Sequence, residues 1–285
     1  MPSRLNESPR MNYKDFMADP GRDCAVIAHR GIWREAPENS LRAIKAAIAG
    51  GYDVVEIDVR RSADGKLFLC HDDTLERMTG RDAAVEELGA SELAGLALRD
   101  RDGGVGNPLT DQKLARLSDV FDLTRDRIFI HLDVKDRSLI PEVIAAAQAA
   151  GVDQQVDFWA ALRDEDDFAW IEDNIMSHGV PFIAKTRLNV PGAALQTELV
   201  FRFKPLICEI YFDSIEQLAA QKGRFERAGI SLWVNTLDDM SSAGFTDTAA
   251  LQDPDAVWGR LLDAGVSAIQ TDEAAALKTY LAARR

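Results

Sequence analysis

The chain has 285 residues, 46% of them hydrophobic and 28% charged, enough apolar material for one large barrel or two smaller domains. Its net charge of −14 argues against a nucleic-acid partner, whose affinity comes mainly from Lys and Arg neutralising phosphates. A bound cation can still reverse the local field and admit an anionic substrate, and no apolar run approaches the ~20 residues that span a bilayer, so no stable membrane insertion is expected.

In chain order, residues 1–23 are polar and lack the apolar core of a secretory signal. They read as an N-terminal arm over the first strand of a cytoplasmic protein. Strand-like runs follow at 24–29, 54–59, 128–134, 155–160, 181–185, 207–212, 231–235 and 267–271. Helical patterns separate most of them, at 39–51, 138–151 and 213–229 among others. The first of these has Asn39 or Ser40 as its N-cap and a glycine pair at its end. Alternating strands and helices imply a parallel sheet covered by helices. Eight such strands predict an α/β fold, a TIM-type (β/α)8 barrel with its active site at the C-terminal strand ends. The competing doubly wound sheet predicts a glycine-rich phosphate loop after the first strand; here that position reads "HRGIWREAPEN".

One run breaks the alternation. "KLFLCHD" (66–72) follows the second strand too closely for a parallel crossover, so it predicts a β-hairpin. With Asp64-Gly65 as a two-residue turn, Ala63 faces Lys66 and Asp58 faces His71. Opposed residues share a face, and Glu56, two residues from Asp58, shares it too. Residues 73–116, charged and glycine-rich, read as a small insertion with a short helix near 86–95 that shapes the substrate entrance. The three cysteines, Cys24, Cys70 and Cys208, read as reduced core residues.

Glu56, Asp58 and Asp133 (in "IFIHLDVKD", 128–136) end their strands and make an oxygen-rich cation site, suited to Mg²⁺ or Ca²⁺. The alternative for any one of them is a helix cap or an ion pair with Arg60 or Arg61. His29 and His71 would flank a phosphodiester as acid and base, since imidazole titrates near neutral pH. Arg30 and Lys135 are the phosphate clamps. His131 and His178 read as satisfied core residues, with His131 facing away from Asp133 into the layer between barrel and helices.

These residues resemble the glycerophosphodiester phosphodiesterases, within the phospholipase-C-like phosphodiesterase barrels. The resemblance is carried by "AHRG" and "PENS" (28–31, 37–40), "EIDVRRSADGKLFLCHDDTLERMTG" (56–80) and "LDVKD" (132–136). A weaker late echo lies in "WVNTLDD" and "GVSAIQTDEAAAL" (233–239, 265–277). It implies a single phosphodiesterase barrel domain that hydrolyses glycerophosphodiesters to sn-glycerol 3-phosphate and an alcohol. By matching positions, His29 and His71 would be the catalytic pair, Glu56, Asp58 and Asp133 the ligands of a divalent cation, and Arg30 and Lys135 phosphate contacts. A neighbouring substrate hydroxyl would attack first, with His29 as base and His71 as acid, before water opens the cyclic intermediate. Glu38 would orient Arg30 or a histidine, and Asn39 would cap the helix or support the site.

Three departures bear on substrate. Asp133 stands where the family usually has Glu. Aligned on Asn235, the late motif has Leu232-Trp233-Val234-Asn235 in place of Trp-Thr-Val-Asn. Either Trp233 lines the substrate pocket through a bulge, or it faces outward and Leu232 lines it. The middle of the chain matches less clearly. There Lys185 and Arg187 would contact a second anionic group or are surface charges, and Glu209 is a strand-end candidate or half of a salt bridge. The expected partner is a small-molecule phosphodiester; nothing in the sequence sets an oligomeric state. A sugar phosphodiester or lysophospholipid substrate, or a barrel that binds phosphorylated ligands without turnover, are the other readings.

Overall fold

The computed structural model describes residues 11–19 and 21–285. Its strands are β1 (Ala25–Ala28), β2 (Val54–Arg61), β3 (Leu67–Leu69), β4 (Ala97–Arg99), β5 (Leu109–Lys113), β6 (Phe129–Val134), β7 (Val156–Ala161), β8 (Phe182–Arg187), β9 (Ile207–Tyr211), β10 (Ser231–Asn235) and β11 (Val266–Thr271). β1, β2 and β6 to β11 pair side by side in parallel, and β1 pairs with both β2 and β11, which closes the ring. The closed ring of parallel strands with helices outside is the TIM-type barrel, and each strand begins and ends within two residues of its expected range.

Helices cover the ring because β-branched residues on the outer strand faces need an apolar partner. Val26, Val55, Ile57 and Ile130 join Ile44, Ala47, Val143 and Ile144 in one buried cluster. The helix Leu41–Gly50 shows how such a cover begins and ends. Ser40 Oγ accepts from Ala43 N at 3.1 Å, and the chain leaves through Gly51 at φ +64°. Ser40 is thus the cap, and Asn39 has another task. The expected helix at 213–229 is two, Ile215–Ala219 and Lys222–Ala228.

Inside the ring, the lower tier is apolar. Val54, Phe129, Ile183, Ile207, Trp233 and Ala268 pack with Tyr13 and Met17 of the helix Tyr13–Ala18. The Tyr13 ring stacks on Phe129 at 4.8 Å, so this part of the arm plugs the N-terminal end of the barrel and touches β1 through Ala25 and Ile27. Each large side chain so buried contributes about 1.5–3 kcal/mol. The rest of the expected arm, residues 1–10 and Pro20, lies outside the described residues.

The register sets what stands above that plug. β2 and β6 pair Glu56 with His131 and Asp58 with Asp133. His131 and Asp133 are two residues apart and share the inner face, which corrects the expectation that His131 faces the helices. Its Nδ1 lies 2.5 Å from Asp157 Oδ1 and its ring 4.9 Å from Trp233. Burial opposes a charge there, but Asp157 outweighs it and lifts the His131 pKa to about 9. His178 is also not a core residue: it is exposed, in a short 3-10 turn.

The hairpin is present but its register is shifted by one. Val59 pairs with Leu69, Arg60 with Phe68 and Arg61 with Leu67, which leaves a three-residue loop, Ala63, Asp64 and Gly65. Asp58 therefore faces Cys70, whose N donates to Asp58 O at 3.1 Å, and not His71. Gly65 takes φ +78° at the last loop position, the geometry of a type I turn closed by a glycine bulge. Ser62 secures it: its Oγ accepts from Lys66 N at 2.8 Å and donates to Asp64 Oδ1 at 2.7 Å.

The segment 73–116 carries its own small core, in which Leu75, Met78, Val85, Leu93, Leu98 and Leu114 pack on Phe68 and Cys70. The expected helix near 86–95 is a 3-10 turn, Val85–Glu87, and one helical turn, Ala90–Leu93. β4 and β5 pair as a separate antiparallel ribbon. Cys24, Cys70 and Cys208 are all free thiols. Among the described residues, no helix is long and apolar enough to cross a membrane.

Candidate active site

A cavity of about 660 Å³ opens at the C-terminal strand ends, lined among others by His29, Arg30, Glu56, Asp58, His71 and Asp133. β2 and β6 bring the three acids together, since Asp58 and Asp133 are direct neighbours and Glu56 lies one step below. One carboxylate oxygen from each lies within 4.8 Å of the others.

The electrostatics of this cluster are tense. Burial and the adjacent Asp58 push the Glu56 carboxyl up to about 7. Burial also opposes ionisation of Asp58, but Lys135 and Arg30 outweigh it and hold Asp58 well below the usual carboxylate range. Lys135 Nζ lies 2.6 Å from Asp58 Oδ1 and 2.8 Å from Asp133 Oδ2. Arg30 Nε lies 3.4 Å from Asp58 Oδ2, and Arg30 N donates to Glu56 Oε2 at 3.0 Å. Three converging carboxylates, one of them starved of positive charge, are an all-oxygen donor set that fits a hard divalent cation.

Asn39, freed from capping, clamps Asp58. Its Nδ2 donates to Asp58 Oδ2 at 2.7 Å and its Oδ1 accepts from Asp58 N at 3.1 Å. It does so at φ +55°, a left-handed conformation that Asn tolerates better than most residues.

Both histidines are held by Nδ1. His29 Nδ1 lies 2.8 Å from Asp272 Oδ1, and His71 Nδ1 lies 2.8 Å from Asp72 Oδ1. Such a bond fixes ring orientation and leaves Nε2 for chemistry. His29 Nε2 stands 3.9 Å from Glu56 Oε2. Burial lowers the His29 pKa, but Asp272 and Glu56 outweigh it, and the value lies above that of free imidazole. His71 reaches the site from just beyond β3, where the chain has left the strand.

Glu38 holds Arg30 as expected, accepting from its Nη1 at 3.1 Å. It also accepts from Arg77 Nη2 at 2.7 Å, and Arg77 Nε donates to Asp72 Oδ2 at 2.6 Å. A chain of ion pairs therefore runs from Arg30 through Glu38, Arg77 and Asp72 to His71. Arg77 Nη1 also donates to the Asp102 carbonyl, which ties the insertion to this wall.

Sequence reasoning missed Asp72, Arg77 and Asp272. Asp72 and Arg77 lie inside the 56–80 motif, and Asp272 follows the last strand, the kind of strand-end position that singles out Glu209. Trp33, also missed, donates Nε1 to Asp272 Oδ1 at 2.6 Å.

The later candidates fall elsewhere. Trp233 does face inward, at a register irregularity beside Leu232, but it is 1% exposed and lies in the lower tier, bonded through Nε1 to Asn235 Oδ1 at 2.7 Å. It does not line the cavity, which corrects its expected substrate contact; Leu237 and Met240 of the following loop do line it. Glu209 is buried and accepts from Tyr211 Oη at 2.5 Å and from Asn235 Nδ2 at 2.9 Å, with Lys185 Nζ at 3.3 Å. Arg187 stacks over Tyr211 at 4.4 Å.

Residues 29–177, just over half of the chain, match the family described as glycerophosphoryl diester phosphodiesterase, and residues 186–281 match a domain of unknown function. A glycerophosphodiester phosphodiesterase of Caldanaerobacter subterraneus is 34% identical over 113 residues, 39% of this chain and 44% of that one. Mouse glycerophosphodiester phosphodiesterase 1 is 33% identical over 114 residues, 39% of this chain and 34% of that one. The matched stretch thus spans less than half the length of these relatives. Among solved structures, a glycerophosphoryl diester phosphodiesterase from Parabacteroides distasonis superposes with TM-score 0.73 at 18% identity, covering 96% of this chain and 93% of that one. A phosphodiesterase of Oleispira antarctica, solved in complex with the product sn-glycerol-3-phosphate, superposes with TM-score 0.66 at 20% identity, covering 91% and 97%. At these identities the structural likeness is one of fold.

Proposed function

The chain belongs to the glycerophosphoryl diester phosphodiesterase family, and we propose that it hydrolyses glycerophosphodiesters to sn-glycerol 3-phosphate and an alcohol. The observation that carries this reading is the pairing, across one cavity, of two imidazoles each anchored at Nδ1 by a carboxylate, beside a three-carboxylate cluster.

Glu56, Asp58 and Asp133 would hold Mg²⁺ or Ca²⁺, which when bound supplies charge stabilisation to a phosphoryl oxygen. The chain's own residues do the rest. Arg30 and Lys135 present positive charge to the phosphate while holding the acids in place. His29 Nε2 accepts the proton of a neighbouring substrate hydroxyl as that oxygen bonds to phosphorus. His71 Nε2 donates a proton to the departing alkoxide, so the alcohol leaves neutral and a cyclic diester remains. In the second step the roles reverse: His71 deprotonates water, and His29 returns its proton to the hydroxyl that is released. Asp272 and Asp72 stabilise each imidazolium in turn, as a carboxylate does behind any acid–base histidine.

The test is release of glycerol 3-phosphate from glycerophosphocholine, glycerophosphoethanolamine and glycerophosphoinositol by chelator-treated protein, with Mg²⁺ or Ca²⁺ restored. Cation-restored release that falls about 10²-fold or more in both His29→Ala and His71→Ala is expected. Wild-type rates in either variant remove that histidine from the mechanism.

A further inference from the structure

We infer that the β8–β9 side of the barrel mouth is a leaving-group subsite that takes a second anionic group through Lys185 and Arg187, and that it turns away a quaternary ammonium. The inference rests on the phosphodiesterase reading above and deepens it.

Register places Lys185 beside Glu209 and Arg187 beside Tyr211. Lys185 Nζ lies over the Trp159 ring at 4.4 Å and the Tyr211 ring at 5.3 Å, with Glu209 Oε1 at 3.3 Å. Two aromatic faces and a carboxylate around one small volume are the makings of a cage for a choline-type cation. Here the chain's own ammonium fills that cage. An incoming trimethylammonium finds its place taken and meets a like charge.

Arg187 is the complementary half. It is exposed, and its guanidinium lies over the Tyr211 ring. Among the described residues its side chain makes no ion pair or hydrogen bond, so its planar fork of donors is unspent. That fork suits a phosphate or carboxylate.

Trp159, Lys185 and Arg187 stand beside the cavity and not in its lining, and Trp159 joins them to the reacting centre. Trp159 Nε1 donates to Asp133 Oδ1 at 3.0 Å. Lys185 therefore stands across a single indole ring from the carboxylate cluster. A leaving group that extends over Trp159 meets Lys185 first and Arg187 next. The loop after β10, two strands round the ring from β8, carries Asp238 and Asp239.

The experiment compares kcat/KM for glycerophosphocholine and for glycerophosphoinositol 4-phosphate, whose leaving group carries a second phosphate. Wild type should favour the phosphorylated diester by about tenfold or more, the worth of one charge-assisted contact. Arg187→Ala should narrow that ratio at least fivefold. Lys185→Met keeps the apolar stem and opens the cage, and should shift the ratio further toward the choline diester. A ratio of two rates in one preparation cancels any loss of folded protein. A wild-type preference for glycerophosphocholine, or ratios unmoved in both variants, overturns this inference alone. Cleavage of neither diester overturns the hydrolase reading and this one with it.

Discussion

Asp272, at the end of the last strand, bonds His29, just past the end of the first: Asp272 Oδ1 lies 2.8 Å from His29 Nδ1. Closure of the barrel makes residues 243 apart in sequence into neighbours. The bond raises the His29 pKa against the opposing effect of burial. A base must be neutral to accept a proton, so activity falls as pH drops through that raised value. In Asp272→Asn the support is lost and the pKa falls. The acid limb of the kcat/KM profile should move to lower pH, while kcat drops by about 10–10³-fold because the ring is no longer held. A pH profile of both proteins decides it: an unmoved acid limb with full kcat removes Asp272 from the mechanism.

Cation binding has a readout independent of turnover. The indole of Trp159 donates to Asp133, so a cation that engages Asp133 changes the charge beside that indole. Titrating Mg²⁺ or Ca²⁺ into chelator-treated protein should change tryptophan emission saturably. The change should disappear in Trp159→Phe and weaken in Asp58→Asn, with activity weakened in parallel. Asp133→Glu keeps a carboxylate at this position and should keep activity within about tenfold, whereas Asp133→Ala should lose about 10²-fold. Saturable emission change in wild type with unaltered affinity in Asp58→Asn would mean that the ligand set is different.

The hairpin loop tests the corrected register. Gly65 sits at φ +78°, and a Cβ added there would meet nothing within 4 Å. Any cost of substitution is therefore backbone strain, about 1–2 kcal/mol for an ordinary L-residue and greater for a β-branched one. Gly65→Val should lower Tm by a few degrees, and Gly65→Asn by less, because Asn tolerates this region. Equal Tm values for the two variants would show that the left-handed loop position is not what holds this turn.

The barrel is legible in the sequence because each strand is a short β-branched run bounded by helical pattern, and a parallel sheet buries both faces of such runs. The acid cluster is legible for the same reason: a period of two along β2 and β6 sends Glu56, Asp58 and Asp133 to one face. Two errors come from counting. A glycine after Asp suggests a two-residue turn, but Ser62 closes the loop one residue earlier and slides Asp58 to Cys70. His131 is an even step from Asp133, so it shares the inner face and pairs with Asp157. The groups that hold the site are illegible for a different reason. Arg77 reaches Glu38 across 39 residues and Asp272 reaches His29 across 243, and no local pattern encodes a contact across such separations. Asn39 reads as a helix cap because its type fits that role, and Ser40 fits it equally well.

A buried carboxylate behind the site gives the last prediction. Asp247 ties the ends of the last two barrel strands together: Oδ1 accepts from Thr236 Oγ1 and Thr271 Oγ1, each at 2.6 Å, and Oδ2 accepts from Asp272 N at 2.8 Å. Burial pushes its carboxyl up to about 6 despite those bonds, from an ordinary 3.8. Between those values the folded state holds a proton that the unfolded chain releases. The corresponding stability is present below about pH 4 and is lost as pH rises through about 6. Asn is nearly the same shape; its oxygen can accept from Asp272 N and its amide can donate to the two hydroxyls, which rotate to receive it. Asp247→Asn should therefore match wild type near pH 4 and exceed it by about 1–3 kcal/mol at pH 7, since a tenfold change in proton affinity corresponds to about 1.4 kcal/mol. Urea unfolding of both proteins from pH 4 to pH 8 measures the difference at each pH, which removes the contribution of every other acid. A difference that stays flat across that range would mean that Asp247 is ionised without cost in the fold, and that its three hydrogen bonds outweigh its burial.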